Sequence, residues 1–515
     1  MNTLKTTGFP HFLNDKKTMK KQITYGIMAA TVLMWNCKST EIDAVDTPTT
    51  AVKHSSARIP APPKAWDLTL GGSGIDILTV ALNNPTTSGG YIFGGSSNSP
   101  TSAGSNDRFE AYGGNDYWVV KVIADGTFKH YNRAIGGSGE DRLASIVPLS
   151  DMTMVLGGSS NSPAEDMSKS QGSKGGYDYW IVKVNRYGNV IWDKVLGGTN
   201  EDHLTSMVAT NDGGFLVGGI SASLANKVTP VIGNPLGGIG SFQPQPISSD
   251  KSMNSCNGSY DYWIVKLDVN GKKQWDITLG NGGNDYLASV VKATDGGYLL
   301  AGYSSSEGAA GNKTAAGKGG YDYWVVKIDA NGNKQWDRTF GGTQDDQLAK
   351  AAATPDGGFV LGGSSSSPAG ADKTEGLRGA AGQNDYWVVK IDANGNKQWD
   401  KTVGSPGDDT FKSLAVTADG GIWLGGETPS APGGEKIEMP KGVLDYWIAK
   451  LEADGRYLGQ DKTLGGTATD KLGDILVTAD GGIIAAGSSQ SQPGGISDKS
   501  ERPKGIMNYW VVKLK

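Results

Sequence analysis

One short pattern recurs seven times along the chain: Asp-Tyr-Trp, two apolar residues, then Lys. It begins at Asp116, Asp178, Asp261, Asp322, Asp385 and Asp445, and closes as Asn-Tyr-Trp at Asn508. Successive copies lie 60 to 63 residues apart, except one interval of 83 that holds a Pro/Gly-rich insertion near 224–250. A fixed period of this kind means one supersecondary unit used many times. It overrides the three or four domains that 515 residues would otherwise suggest.

Two further markers keep the same beat. Trp-Asp-x-x-apolar-Gly begins at Trp66, Trp192, Trp275, Trp336 and Trp399, with a second Gly following except at Asn281 and Ser405, and degenerate copies begin at Tyr131 and Gln460. Asp-Gly-Gly, with a Thr one or two positions before it, leads into an apolar run, as at Thr294 and Thr354. Each unit reads as four strands, for example Leu287 to Ala293, Tyr298 to Tyr303, Asp322 to Ile328 and Lys334 to Phe340. The Asp-Gly-Gly and Asn-Gly steps between them are hairpin signals. Seven units of four short strands predict an all-β, seven-bladed β-propeller. The repeats open on a fourth strand (Ala65 to Leu70) and end on a third (Tyr509 to Leu514). The N-terminal strand can therefore complete the last blade in a 3+1 arrangement and remove an open sheet edge.

Composition agrees once the turns are located. Glycine, at 77 residues, falls largely at the turns and loops. Charge is nearly balanced at −5, which disfavours a general nucleic-acid binder. Two cysteines, Cys37 and Cys256, give no disulfide framework, and four histidines are too few for a multi-His metal centre.

The N-terminus reads as an address. Lys20 and Lys21 precede an apolar run from Ile23 to Trp35, which ends at Cys37 and a polar tract. Such a run is too short for a comfortable membrane span. The segment resembles a bacterial lipoprotein signal, which implies lipidation of Cys37; an ordinary secretory signal is the alternative. Residues 1–36 are then a leader with Met19 as the expected start, 37–63 a flexible tether, and 64–515 the propeller. The expected location is the cell envelope, lipid-anchored to the outer membrane.

The recurring side chains carry expectations of their own. Trp118, Trp180, Trp263, Trp324, Trp387, Trp447 and Trp510 each follow a tyrosine, so the two rings point to opposite faces of a blade. Packing between blades is the expected role. Lys121, Lys183, Lys266, Lys327, Lys390, Lys450 and Lys513 are expected to make a structural contact with a carboxylate or a carbonyl, the candidates on the neighbouring fourth strands being Asp67, Asn132, Asp193, Asp276, Asp337, Asp400 and Asp461. Asp76, Asp141, Asp202, Asp285, Asp346, Asp409 and Asp470 follow the Gly-Gly turns between blades. They are expected to accept backbone N–H groups there. The alternative is a carboxylate ring for a hard cation such as Ca²⁺; no other cofactor is expected. Asp329-Ala-Asn331-Gly-Asn333 lacks the full calcium-loop pattern and reads as a hairpin.

The phrases WDKVLGGTNED, TNDGGFLVGGISAS and YDYWIVKVNRYGN resemble the bacterial β-propeller repeat of secreted and surface proteins, over about 450 residues. The resemblance implies architecture rather than activity, because propellers host many roles. No catalytic signature stands out. The leading expectation is a non-enzymatic, lipid-anchored monomeric scaffold binding an envelope protein or a glycan, not nucleic acid. An outer-membrane assembly scaffold and an envelope carbohydrate-active enzyme are the alternatives. Non-repeated acidic or His side chains converging at the channel mouth would favour the enzyme. The face bearing the Asp turns and the long second-to-third-strand loops is the candidate surface. Arg108, His203, Cys256 and the insertion are the departures from the repeat to follow.

Overall fold

The computed structural model describes residues 60–515 except 86–88, 102–106, 108–109, 150, 226–248, 255–258, 307 and 309–310. Cys37, the tether to residue 59, most of the insertion, Arg108 and Cys256 lie outside the described residues. The described residues form 28 strands in seven four-stranded antiparallel sheets. Strands are numbered β1 to β28 in chain order.

The fourth blade is representative. Its strands are β14 (Asp285–Lys292), β15 (Tyr298–Ser304), β16 (Asp322–Ile328) and β17 (Lys334–Phe340), joined in sequence order. First strands of neighbouring blades approach one another, so they line the axis. The last blade is built from β26 (Asp470–Val477), β27 (Ile483–Ser489), β28 (Asn508–Leu514) and β1 (Lys64–Leu70). There β1 pairs antiparallel with β28 through Asp67–Val512 and Thr69–Trp510. The 3+1 closure inferred from the sequence offset is thus the observed one, and the last blade's third strand is covered by β1 instead of standing as an open edge.

Alternation along the third strand builds the contacts between blades. Tyr323 and Trp324 are both fully buried and enter different cores. Tyr323 packs on Trp387 of blade five at 4.8 Å, while Trp324 receives Tyr262 of blade three at 4.7 Å. The Tyr323 hydroxyl also donates to the Trp387 carbonyl at 2.9 Å. All seven interfaces repeat the motif, with ring centroids 4.4 to 5.1 Å apart. The last step, Tyr509 to the Trp118 carbonyl at 3.2 Å, closes the circle.

The outer edge uses glycine where nothing else fits. Gly332 turns the third strand into the fourth at φ +87°, and a Cβ there would meet the Trp275 ring of the preceding blade at 2.9 Å. The fourth-strand tryptophan thus covers the hairpin of the next blade.

The repeated lysines do not pair with the fourth-strand carboxylates, contrary to the expectation from sequence. In the observed register Lys327 lies opposite Trp336, and Val326 opposite Asp337. One residue of offset puts Lys327 and Asp337 on opposite faces of the sheet. Asp337 instead accepts the Trp324 indole N–H at 3.1 Å and the Thr314 N–H at 2.9 Å. Indole donation to the fourth strand recurs from Trp118–Asn132 to Trp510–Asp67. Lys327 reaches Asp295 of the Asp-Gly-Gly turn at 2.7 Å and Gln335 at 3.0 Å. Lys266–Asp212, Lys390–Asp356 and Lys513–Asp480 repeat that pair. Lys183 feels Asp151 of its own turn, Lys121 sits over Tyr131, and Lys450 over Trp423.

This pair is asymmetric: the Lys327 side chain is 3% exposed and that of Asp295 54%. Removing the lysine leaves a hydrated carboxylate, whereas removing the carboxylate strands a buried ammonium. Asp295→Ala is therefore expected to lower the melting temperature more than Lys327→Met, measured side by side. The reverse order would contradict the assigned pairing.

Candidate functional site

Rows of Asp, Ser and Asp define one end of the blades, with Thr428 in the middle of the sixth row and Asn508 at the end of the seventh. In blade four Asp285 lies opposite Ser304, and Ser304 opposite Asp322. The turns between blades and the long second-to-third-strand loops both leave from this end. The Asp-Gly-Gly and Asn-Gly hairpins lie at the other. The structure places the seven turn aspartates here as staples. Asp202 accepts the Gly198 N–H at 2.8 Å and the Ser223 hydroxyl at 2.8 Å. Asp76, Asp141, Asp285, Asp346, Asp409 and Asp470 likewise accept the N–H four residues before them. Among the described residues no group of three or more His, Cys, Asp or Glu is arranged to hold a metal ion.

Each turn also brings two acids together. Asp261 and Asp285 both crowd Gly280, whose Cβ position lies 1.9 and 2.8 Å from their carboxyl oxygens. Asp445 and Asp470 crowd Gly465 in the same way. Asp178 faces Asp202, Asp322 faces Asp346, and Asp385 faces Asp409. Burial, with the facing charge, pushes Asp178 and Asp409 up to about 7, and Asp322 and Asp445 up to about 6. Two adjacent buried carboxylates cannot both ionise cheaply, so each of these pairs takes up a proton more readily than free carboxylates do. The seventh interface replaces that proton with an amide. Asn508 Nδ2 donates to Asp76 at 2.9 Å while its Oδ1 accepts the Lys504 N–H at 2.6 Å. Asp322 accepts the Lys318 N–H at the equivalent place. Buried lysines such as Lys313 and Lys373 stand nearby and add favourable charge.

Toward the axis, each first strand carries a β-bulge. The residues just beyond it are Val80, Ser145, Ser206, Ser289, Lys350, Ser413 and Asp474. They line a central cavity of about 360 Å³, except Ser413. Ser413 donates to Asp474 at 2.6 Å, and Asp474 accepts the Ala81 N–H at 3.1 Å, tying blades six, seven and one together. Lys350 approaches Asp474 at 3.6 Å. The axis is thus stitched largely by hydrogen bonds between blades.

The rim of the loop-bearing face is where the repeats diverge. Three positions matter: after the first-strand Asp, before the third-strand Asp, and before the second-strand Ser or Thr. In blades two to four they include Arg142, Tyr177, His203, Tyr260, Tyr286, Tyr303 and Tyr321. In blades five, six, seven and one the same positions hold no aromatic ring. The rings touch. Tyr177 lies 5.2 Å from His203 and beneath Arg142 at 5.1 Å. Tyr260 meets Tyr286 at 5.7 Å; Tyr286 stacks on Tyr303 at 5.1 Å; Tyr321 meets Tyr303 edge-on at 5.3 Å. Residues of the following blade fix this arc. Glu201 accepts the Tyr177 N–H at 3.0 Å, Asn284 that of Tyr260 at 3.3 Å, and Asp345 that of Tyr321 at 2.9 Å. His203 lies 3.4 Å from Glu201. Burial outweighs the opposing charge of Glu201 and, with a smaller contribution from Arg142, holds its imidazole below the usual value.

Sequence reasoning singled out His203 and missed the tyrosines. The signal was available as non-repeated aromatics at fixed repeat positions, but their meeting depends on the ring. The repeated tryptophans are fully buried and take no part in this surface.

No family model matches the chain. A 229-residue stretch, 43% of the chain, is 26% identical to the regulatory protein FlaEY of Caulobacter vibrioides and spans 24% of that protein. Similar solved structures include the WD40 domain of Neurospora crassa Pan2, at 10% identity and TM-score 0.42, covering 88% of this chain and 97% of that one. A protein of unknown function from Dyadobacter fermentans aligns at 10% identity and TM-score 0.40, over 89% and 100%. A gluconolactonase of Xanthomonas campestris aligns at 10% and 0.32, over 66% and 82%. The strand topology itself makes the chain a seven-bladed β-propeller.

The acid pairs set a pH dependence. Their folded pKa values lie above the unfolded value near 4, so the folded ring binds more protons. That stabilisation is complete below about pH 4 and is lost as pH rises through 6 to 7. Urea midpoints are expected to fall from pH 5 to pH 8. Asp322→Asn, which copies Asn508, is expected to flatten part of that fall and to raise the midpoint at pH 8. A midpoint rising across this range, or an Asp322→Asn variant weaker at pH 8, would contradict the raised pKa values of the pairs.

Proposed function

We propose that the protein is a non-catalytic binding scaffold, held at the cell envelope by a lipid on Cys37, whose loop-bearing face takes a protein or glycan. One observation carries the reading. The repeated positions are spent on packing, and the aromatic departures at the three rim positions gather on one arc of one face. Closely copied blades supply rigidity, and a rigid scaffold presenting variable residues suits recognition. The rim side chains are largely held by neighbours: Glu201, Asn284 and Asp345 each serve a backbone N–H.

A second reading has one observation in its favour. Glu201 and the non-repeated His203 place a carboxylate and an imidazole 3.4 Å apart on the loop-bearing face, a combination that an envelope carbohydrate-active enzyme would use. Their engagement in holding Tyr177 favours the scaffold.

The test uses the chain from Lys38 onward, immobilised and exposed to envelope extract. Wild type is expected to retain a specific component, and a Tyr177→Ala/Tyr286→Ala variant to lose it. A control variant at the opposite end, Asn331→Asp, is expected to retain it. In cells, Cys37→Ser is expected to abolish incorporation of labelled fatty acid. Equal retention by all variants, or none by wild type, would remove the binding reading.

A further inference from the structure

We propose that the aromatic arc over blades two to four is a carbohydrate subsite for a neutral or amino-substituted glycan. The assignment rests on the binding-face reading and names its ligand class. It begins from the chemistry of the arc. Six rings, those of Tyr177, His203, Tyr260, Tyr286, Tyr303 and Tyr321, occupy positions that carry none in the other four blades. All six are half-buried, fixed by packing yet reaching the surface. A sugar offers C–H-rich faces to the electron-rich faces of aromatic rings, and hydroxyls that need both donors and acceptors.

The arc supplies both kinds of contact. The tyrosine rings are the apolar platforms, and Tyr286 meets Tyr321 edge-on at 6.0 Å. Between the rings stand Glu140, Glu201, Asn284 and Asp345. Glu201, Asn284 and Asp345 each spend one oxygen on a neighbouring backbone N–H. A carboxylate has about four lone-pair sites, so acceptor capacity remains for sugar hydroxyls. Arg142, stacked on Tyr177, brings directional donors.

The surroundings narrow the class. The carboxylates of Glu140, Glu201 and Asp345 outnumber the single Arg142 guanidinium, and burial disfavours charge on His203. The local charge repels sulfated glycans, uronic acids and nucleic-acid phosphates, and tolerates an amino group. A protein hot spot would instead centre on a water-excluding apolar pocket. Here polar side chains are interleaved with the rings along the whole arc. The backbone bonds to Glu201, Asn284 and Asp345 fix the platforms before a ligand arrives, which limits the ordering cost of binding.

The chain from Lys38 onward is applied to immobilised cello-, chito-, malto- and manno-oligosaccharides, with polygalacturonate and heparin fragments beside them. Binding to at least one neutral or amino series is expected, and none to the polyanions. Tyr177→Ala and Tyr286→Ala are each expected to weaken it about tenfold or more, at unchanged melting temperature. Tyr286→Phe, which keeps the ring, is expected to stay within about threefold. Binding only to polyanions, binding to no sugar, or indifference to the alanine changes would overturn the subsite. Capture of an envelope protein at this face without any glycan would also overturn it while leaving the scaffold reading in place. Capture of neither would remove both.

Discussion

The ring depends on one contact made seven times: a buried tyrosine lies on the next blade's tryptophan and donates its hydroxyl to that tryptophan's carbonyl. The contact joins hydrophobic burial to a directional bond inside a dry interface, where an unmade partner would be costly. Because Tyr and Trp are sequence neighbours on a strand, each blade is donor to one side and acceptor on the other. Repetition around a circle then fixes both blade spacing and orientation. Tyr509 donating to Trp118 completes the circle, and the β1–β28 pairing fastens the last blade across the chain ends.

Other repeated polar residues serve this framework. The indoles spend their N–H groups on fourth-strand carboxylates, and the turn aspartates hold the connections between blades. At the turns, facing acids raise one another's pKa, and Asn508 stands where one of those acids stands elsewhere. The framework is thereby coupled to pH through its seams.

The architecture was legible in sequence because period, strand alternation and turn chemistry all point to one topology. The offset between the first and last strands even gave the mode of closure. Side-chain partners were less legible. Adjacency on neighbouring strands suggested Lys327 with Asp337, but the register places them on opposite faces, and the lysine turns to Asp295. A one-residue difference in pairing decides such a question, and sequence does not state register. The acid pairs were hidden for a related reason, since their members lie on different blades and meet only across a closed turn.

The candidate site was the least legible part. Tyr177, Tyr260, Tyr286 and Tyr321 are separated by long stretches of chain, and each looks like a local variation of its repeat. Their common meaning appears only when blades two, three and four stand side by side. The central claim is that repeated residues build the ring and divergent residues on one arc do the recognising. Hydrogen-exchange footprinting of the chain with a captured oligosaccharide tests it most directly. The account predicts added protection around 140–142, 177, 201–203, 260, 284–286, 303 and 321, with blades five to seven unchanged. Protection spread evenly over seven blades, or confined to the hairpins of the opposite end, would contradict it.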